Sequence, residues 1–252
     1  MQKKKLTSAR EWVKFNVLRP SLLGVGKAIA PFSTVGNHPV FSNDKFPHAQ
    51  LLEKNWPAIR KELEAVMQFR DSFPSIQEIQ QEQMVLTTDN KWKTFFLYGF
   101  GTKSERNCSL CPETARTLEQ IPGLLTAFFS IMYPKKHIQA HKGLFKGILR
   151  THLGMIIPDN NKYELCRMQV DKELIVWKEG EAVVFDDTYR HEVWNDSDDI
   201  RVVLLIDTIR PFKQPFRWLN KGIINLIVGS SHVKEAVDNH KAWESKFNQL
   251  FS

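Results

Sequence analysis

The 252-residue sequence contains no apolar run long enough to cross a bilayer, which takes about 20 residues. The best candidate, Leu22 to Phe32, is interrupted by Gly24, Gly26 and Lys27. No cleavable leader is expected either, because Lys14, Arg19 and Pro20 break the stretch that follows the basic start Met1-Gln-Lys-Lys-Lys. Cysteine is scarce. Cys108, Cys111 and Cys166 cannot all pair with one another, a pattern of cytosolic proteins rather than of secreted disulfide frameworks. Cys108-Ser-Leu-Cys111 lacks the second pair that a zinc site needs and reads as structural. Internal repeats and low-complexity tracts are absent too, so solenoids and disordered arrays drop out.

Acidic residues are sparse at the two ends. Residues 1–40 hold seven Lys/Arg against one acid, and residues 210–252 hold seven against three. With a net charge of +7 for the whole chain, the middle is slightly acidic. A nucleic-acid groove through the body is therefore disfavoured, and no nucleic-acid partner is expected. An anionic surface met by the ends fits better. The Trp/Phe/Leu-bearing basic arm and the apolar-basic run Phe216–Gly229 can each lie in a membrane interface or pack on the body, and both readings stand. The expected location is cytoplasmic, peripheral on the inner face of a membrane if the ends make contact.

What is present is an ordinary globular composition, 42% hydrophobic and 25% charged. Leu51, Leu52, Ile59, Leu63, Val66 and Met67 recur near a 3.6 period and predict a helix over residues 47–69. Pro57 interrupts that pattern and suggests a start there, with Asn55 as the cap. Residues 71–91 read as a polar mobile loop, 92–100 as a strand and 112–120 as a helix. From Leu124 the pattern turns to strands and turns: 127–132, 148–157, 163–170, 173–177, 182–185, 191–195 and 202–208. Strands at this spacing without intervening helices predict an antiparallel sandwich or barrel. The chain divides into a basic arm (1–45), a body (46–210, with helical support to 123 and a β-core from 124) and basic C-terminal helices (211–252).

The chemistry concentrates between Ser130 and Arg210, where His141, His152, His191, Arg150 and Arg201 sit among β-prone runs. Oxygenation of an unactivated carbon needs iron(II) held facially by few ligands, leaving positions for a co-substrate and O2. Two imidazoles from strand ends suffice, with a carboxylate as the usual third ligand. A 2-oxoglutarate co-substrate needs a cation for its distal carboxylate, and arginine supplies it with fork geometry. His141, His191 and Arg201 fit this template in order.

The motifs around them make the reading specific. They are Ser130, His141-Lys-Gly143, Arg150-Thr-His152-Leu-Gly, Trp177-Lys-Glu-Gly-Glu, Phe185-Asp-Asp, His191-Glu-Val-Trp and Arg201. In these motifs and their spacings, residues 92–210 resemble the aspartyl/asparaginyl β-hydroxylase family of iron(II)/2-oxoglutarate dioxygenases, which includes bacterial lipid A hydroxylases. The resemblance implies a mainly β fold, a double-stranded β-helix (jelly roll, cupin-like) flanked by helices at both ends. It implies His141 and His191 as iron ligands, with Ser130, His152 and Arg201 holding 2-oxoglutarate. It places Arg150 in the pocket facing the substrate and Trp92 in the site wall. The implied substrate is an Asp/Asn side chain in a peptide or the acyl chain of an anionic lipid such as lipid A. The competing reading is a non-catalytic cupin-like binding module at a membrane surface.

Gly143 departs from the common facial triad, where an Asp or Glu stands. Its absence leaves room on the metal for water or a halide, and the family's glycine-bearing branch hydroxylates peptides. Asp186 and Asp187 read as turn formers bonding their own backbone rather than as ligands. Trp177 and Trp194 read as core, and His38, His48 and His137 as ordinary histidines.

Overall fold

The computed structural model describes residues 19–248; the basic start and most of the Trp12–Pro20 run lie outside that range. In chain order the helices are α1 (Arg19–Ile29), α2 (Pro47–Met67), α3 (Ile76–Ile79), α4 (Glu105–Leu110), α5 (Pro112–Glu119), α6 (Phe216–Val228) and α7 (Ser231–Asn248). The strands are β1 (Val40–Phe41), β2 (Trp92–Gly99), β3 (Thr102–Lys103), β4 (Leu124–Met132), β5 (Lys136–His141), β6 (Ile148–Ile156), β7 (Cys166–Val170), β8 (Glu173–Val176), β9 (Ala182–Phe185), β10 (His191–Asn195) and β11 (Arg201–Ile209).

Two antiparallel sheets face each other. The larger has the order β1-β9-β6-β11-β4-β2-β3, and the smaller β5-β10-β7-β8. Four strands of each make a double-stranded β-helix, as expected for this mainly β chain, with helices at both ends. Strand β11 lies at the middle of the larger sheet, paired with β4 on one side and β6 on the other. This explains its unbroken apolar run Val202–Ile206, because a central strand covered on both faces needs apolar residues at every position. Val202, Leu204 and Ile206 pack outward into a core with Phe129, Leu153 and the α2 residues Leu52, Ile59 and Leu63. Val203 and Leu205 point between the sheets, against Met168, Val170, Val193 and Trp177. The site lies in this second layer.

Several local expectations change. Helix α2 runs through Pro57 and starts at Pro47, the first-turn position where a missing N–H costs nothing. Asn55 bonds Leu51 O one turn back instead of capping. Residues 71–91 are not a free loop. Ser75 and Glu78 form a capping box at the start of α3, Ile76 and Ile79 are buried, and Lys136 reaches across to Thr87 and Asp89. Strand β7 begins at Cys166 rather than at Tyr163. Asp159, Asn160 and Asn161 adopt left-handed φ, and the Asn161 side chain bonds the main chain of Cys166 and Trp177. Trp194 is not in the core; it stacks on His137 with Arg167 over its ring. Val40 and Phe41, near the end of the basic arm, form a strand of the larger sheet against β9.

Strand β5 had no counterpart in the sequence pattern, yet it carries His141. Strict alternation would send Ala140, not His141, to the inner face with Ile138. A bulge supplies the difference. His191 pairs with His141 and Val193 with Ile138, so β5 spends one extra residue over that step. The bulge turns the histidine inward beside His191.

Candidate functional site

The imidazoles of His141 and His191 are cross-strand neighbours with ring centroids 4.1 Å apart. Each is fixed by a local bond, His141 Nδ1 to Gln139 O at 2.8 Å and His191 Nδ1 to Tyr189 O at 3.0 Å. A carbonyl accepts, so the proton sits on Nδ1 and the lone pair on Nε2, the tautomer of a metal-ligating histidine. Burial, with the neighbouring His141, pushes His191 down to about 3 and keeps it neutral.

No group of three or more His, Cys, Asp or Glu side chains comes together as a metal cage among the described residues. Position 143, where a third ligand is usual, carries no side chain. The space a side chain would take at position 143 is filled. A Cβ there would lie 2.1 Å from Asp187 Oδ1, and the Gly143 N–H donates to Asp187 O at 2.7 Å.

The two acids of Phe185-Asp-Asp thus separate. Asp186 is fully buried and structural, accepting from Thr188 in its own turn and pairing with Lys146 and Arg210. Asp187 faces the histidines' loop, 3.3 Å from Arg150. Burial, against the pull of Arg150, raises its carboxyl to about 6. Read from sequence, both are turn formers. The available signal was the small residue at 143, which leaves room for another side chain.

Deeper between the sheets lies a cluster of unanswered polar groups. Arg201 is 1% exposed, and no carboxylate pairs with it among the described residues. It reaches Ser130 O at 3.5 Å and Met132 Sδ, with its guanidinium 4.6 Å from the Trp177 ring centre. Burial lowers it to about 10. His152 is also buried, between Phe185 (4.9 Å) and Trp177 (5.8 Å), and neither ring nitrogen has a partner. Arg201 Nε and Trp177 Nε1 are likewise without partners. Buried polar groups are nearly always bonded, so four such atoms in one place mark a site suited to a polar ligand. A dicarboxylate would answer the cation and the donors together.

Register explains the gathering. Ser130 and His152 oppose Val203 and Leu205 on the two sides of β11, on the face that Arg201 shares. Trp92 Nε1 donates to Ser130 Oγ at 3.0 Å and so closes this wall. Trp177 is core, as read from sequence, and its ring also lies against Arg201.

Arg150 is placed differently. Its fork holds Asp207 at 2.7 and 3.0 Å, and a further edge faces Asp187. Burial alone would depress it, but these carboxylates raise it above its ordinary value. Its charge is already answered within the fold.

A family model described as aspartyl/asparaginyl beta-hydroxylase matches residues 53–211. The chain belongs to this family. It is a hydroxylase. Among curated relatives, the ornithine lipid ester-linked acyl 2-hydroxylase of Rhizobium tropici is 46% identical over 216 residues, covering 86% of this chain and 76% of that protein. The human aspartyl/asparaginyl beta-hydroxylase is 33% identical over 169 residues, covering 65% of this chain and 21% of that much longer protein. Among solved structures, the cupin domain of a transcriptional regulator from Enterobacter cloacae is 13% identical with a TM-score of 0.32, covering 47% of this chain and 96% of that one. The architecture rests on the strand order alone. Iron(II) and 2-oxoglutarate are the cofactors the family implies, and the paired imidazoles beside an unanswered guanidinium fit both.

Proposed function

We propose that the protein is an iron(II)/2-oxoglutarate-dependent hydroxylase that inserts oxygen into the acyl chain of a membrane lipid, with an amino-acid-containing lipid of the ornithine type as the first substrate to test. The observation that carries the dioxygenase reading is the buried, carboxylate-free Arg201 beside His152 and the His141–His191 pair. When bound, iron with 2-oxoglutarate and O2 supplies the oxidant for an unactivated C–H bond, releasing succinate and CO2.

The chain's own residues do the rest. His141 and His191 would hold the metal through Nε2, each kept in the right tautomer by its Nδ1–carbonyl bond. Arg201 would bind the distal carboxylate of 2-oxoglutarate, where a charged bond in a dry site is stronger than in water. His152 and Ser130 would offer further polar contacts, with Ser130 oriented by Trp92. Trp177 and Phe185 exclude water around them. Asp187 occupies the space that a side chain at 143 would take, so position 143 would offer the metal no ligand.

The lipid class draws its support from the R. tropici relative, whose 216 matched residues exceed what residues 53–211 can hold. That likeness therefore takes in residues beyond the matched family region. An Asp or Asn side chain in a peptide is the second reading, favoured by Gly143 and by the human relative. A non-catalytic cupin-like module would have no use for the unpaired Arg201–His152 cluster.

The test is turnover by iron-loaded protein. Incubation with ornithine lipid, 2-oxoglutarate and O2 is expected to give succinate and a 16 Da gain on the acyl chain. His141→Ala and Arg201→Ala are expected to lose both. A mass gain on peptides instead of lipid moves the substrate to the second reading. Succinate formation that survives both substitutions would sink the assignment.

A further inference from the structure

We propose that α1 and α6, seated together on the loop that follows His141, form a docking face for the surface of an anionic lipid bilayer. The proposal deepens the acyl-chain reading above and rests on it for the purpose of docking, though not for the observations.

The first observation is a helix whose apolar residues face outward. In α6, Trp218 is 71%, Leu226 77% and Leu219 48% exposed. Leu219 and Leu226 are two turns apart on one face, with the half-buried Ile223 and Ile227 beside them. A helix that only covers a core does the reverse. The inward side of α6 is already satisfied, because Ile224 packs with Phe145 and Phe212, and Asn220 Nδ2 bonds Gly147 O and Arg210 O. Among the described residues, Trp218, Leu219 and Leu226 belong to none of the apolar clusters of the fold.

The second observation is charge. The sequence has no Asp or Glu from residue 12 to residue 43, and none from 208 to 234. These two acid-free stretches meet in space. Phe32 stacks on Phe216 with centroids 3.8 Å apart, and Ile29 joins Ile224 in one cluster. Lys27, Lys213, Arg217 and Lys221 are exposed on them. Apolar Trp and Leu side chains among basic residues, with no acid on either segment, complement a headgroup layer of negative charge.

The third observation is position. A Cβ at Gly147 would lie 1.8 Å from Asn220 Oδ1, and one at Gly26 would lie 2.9 Å from Lys146 Cβ. Both helices therefore bear directly on residues 146 and 147, five and six residues beyond His141. Leu144, on the same loop, is exposed. The docking face and the imidazole pair share one short segment, so a chain drawn from a bilayer at that face has little distance to travel.

The test is sedimentation of the intact protein with phosphatidylglycerol vesicles and with phosphatidylcholine vesicles, without iron or co-substrate. Binding is expected on phosphatidylglycerol, weaker at high salt as screening requires, and at least tenfold weaker on phosphatidylcholine. The triple variant Trp218→Ser, Leu219→Ser, Leu226→Ser is expected to lose vesicle binding at least tenfold. It should keep the visible band of its anaerobic iron/2-oxoglutarate complex, which reports an intact site. If that variant fails to fold, Lys213→Gln, Arg217→Gln, Lys221→Gln changes charge alone and is expected to lower binding at low salt. Wild-type protein that ignores both vesicles overturns the proposal, as does equal binding by wild type and variants. A dimer abolished by the triple variant, without vesicle binding, assigns the face to a second copy and also overturns it. Because the assay involves no turnover, failed docking is distinguishable from a failed hydroxylase reading.

Discussion

Arg201 opens strand β11 and Arg210 directly follows its last residue, and each is 1% exposed. Arg210 is closed. It donates to Asp186 and Gly36 at 2.6 Å, to Ser33 at 3.1 Å and to Lys146 O at 3.3 Å. Arg201 has one long carbonyl contact, a thioether, an aromatic face and an unbonded Nε. Removing a charge from water is costly unless a partner answers it. The first arginine has its answer inside the fold, where it ties the basic arm's end to Asp186. The second leaves the cost standing, which is what a residue awaiting an anionic ligand should do. Burial alone does not separate structural from functional charge. The state of the partners does.

The largest effect belongs to the closed side. Arg210→Met leaves Asp186 buried with Lys146 as its remaining cation, and breaking such a pair costs about 3–5 kcal/mol. Urea unfolding should show that loss with little change in co-substrate affinity per folded molecule. Next comes Arg201→Met. It should weaken 2-oxoglutarate binding about a hundredfold, given roughly 1.5–3 kcal/mol for each charged bond, while the ligand-free protein keeps or gains stability. An anaerobic titration beside a melting curve checks both, and a stability loss like that of Arg210→Met would erase the contrast.

The same contrast recurs among histidines. His152 has no partner, whereas His48 is bonded to Thr151 Oγ1 at 3.0 Å. His152→Phe should weaken 2-oxoglutarate binding about tenfold and leave ligand-free stability unchanged or higher, since an unbonded buried polar group costs about 1–3 kcal/mol. The smallest effect concerns pH. Burial lowers His48 to about 4, so the unfolded chain takes up its proton near 6.5 while the fold resists. That stability is present above pH 6.5 and is lost as pH falls toward 4. His48→Gln should flatten this part of the acid limb in melts at stepped pH, and an unchanged limb removes His48 from the account.

Much of the fold was legible because the β-core obeys simple periodicities. Ala182–Phe185 and His191–Asn195 appear with the predicted bounds, and β11 shows its burial as an uninterrupted apolar run. Strand β5 was hidden because its bulge breaks alternation just where His141 must turn inward. Residues 71–91 looked mobile because their order comes from tertiary anchors such as Lys136, which local composition cannot show. The order of His141, His191 and Arg201 brought them forward, the family resemblance added His152 and Ser130, and the structure places all five between the sheets. Spacing could not show that Arg150 is held by Asp207, that Trp177 lies against Arg201, or that Asp187 fills the gap beside Gly143. Each of these depends on which side chains meet across the barrel.

The last of these contacts bears on how the site could be redesigned. The identity of residue 143 is coupled to that of residue 187, because a Cβ at 143 and the Asp187 carboxylate claim the same volume. The Asp187 side chain is short and anchored by Arg150, so it has little freedom to withdraw. Gly143→Asp alone would set two side chains in one space, whereas pairing it with Asp187→Gly would clear the room. The side-chain volume available beside His141 is a property of two positions on different strand connections, and a change in one has to be matched in the other.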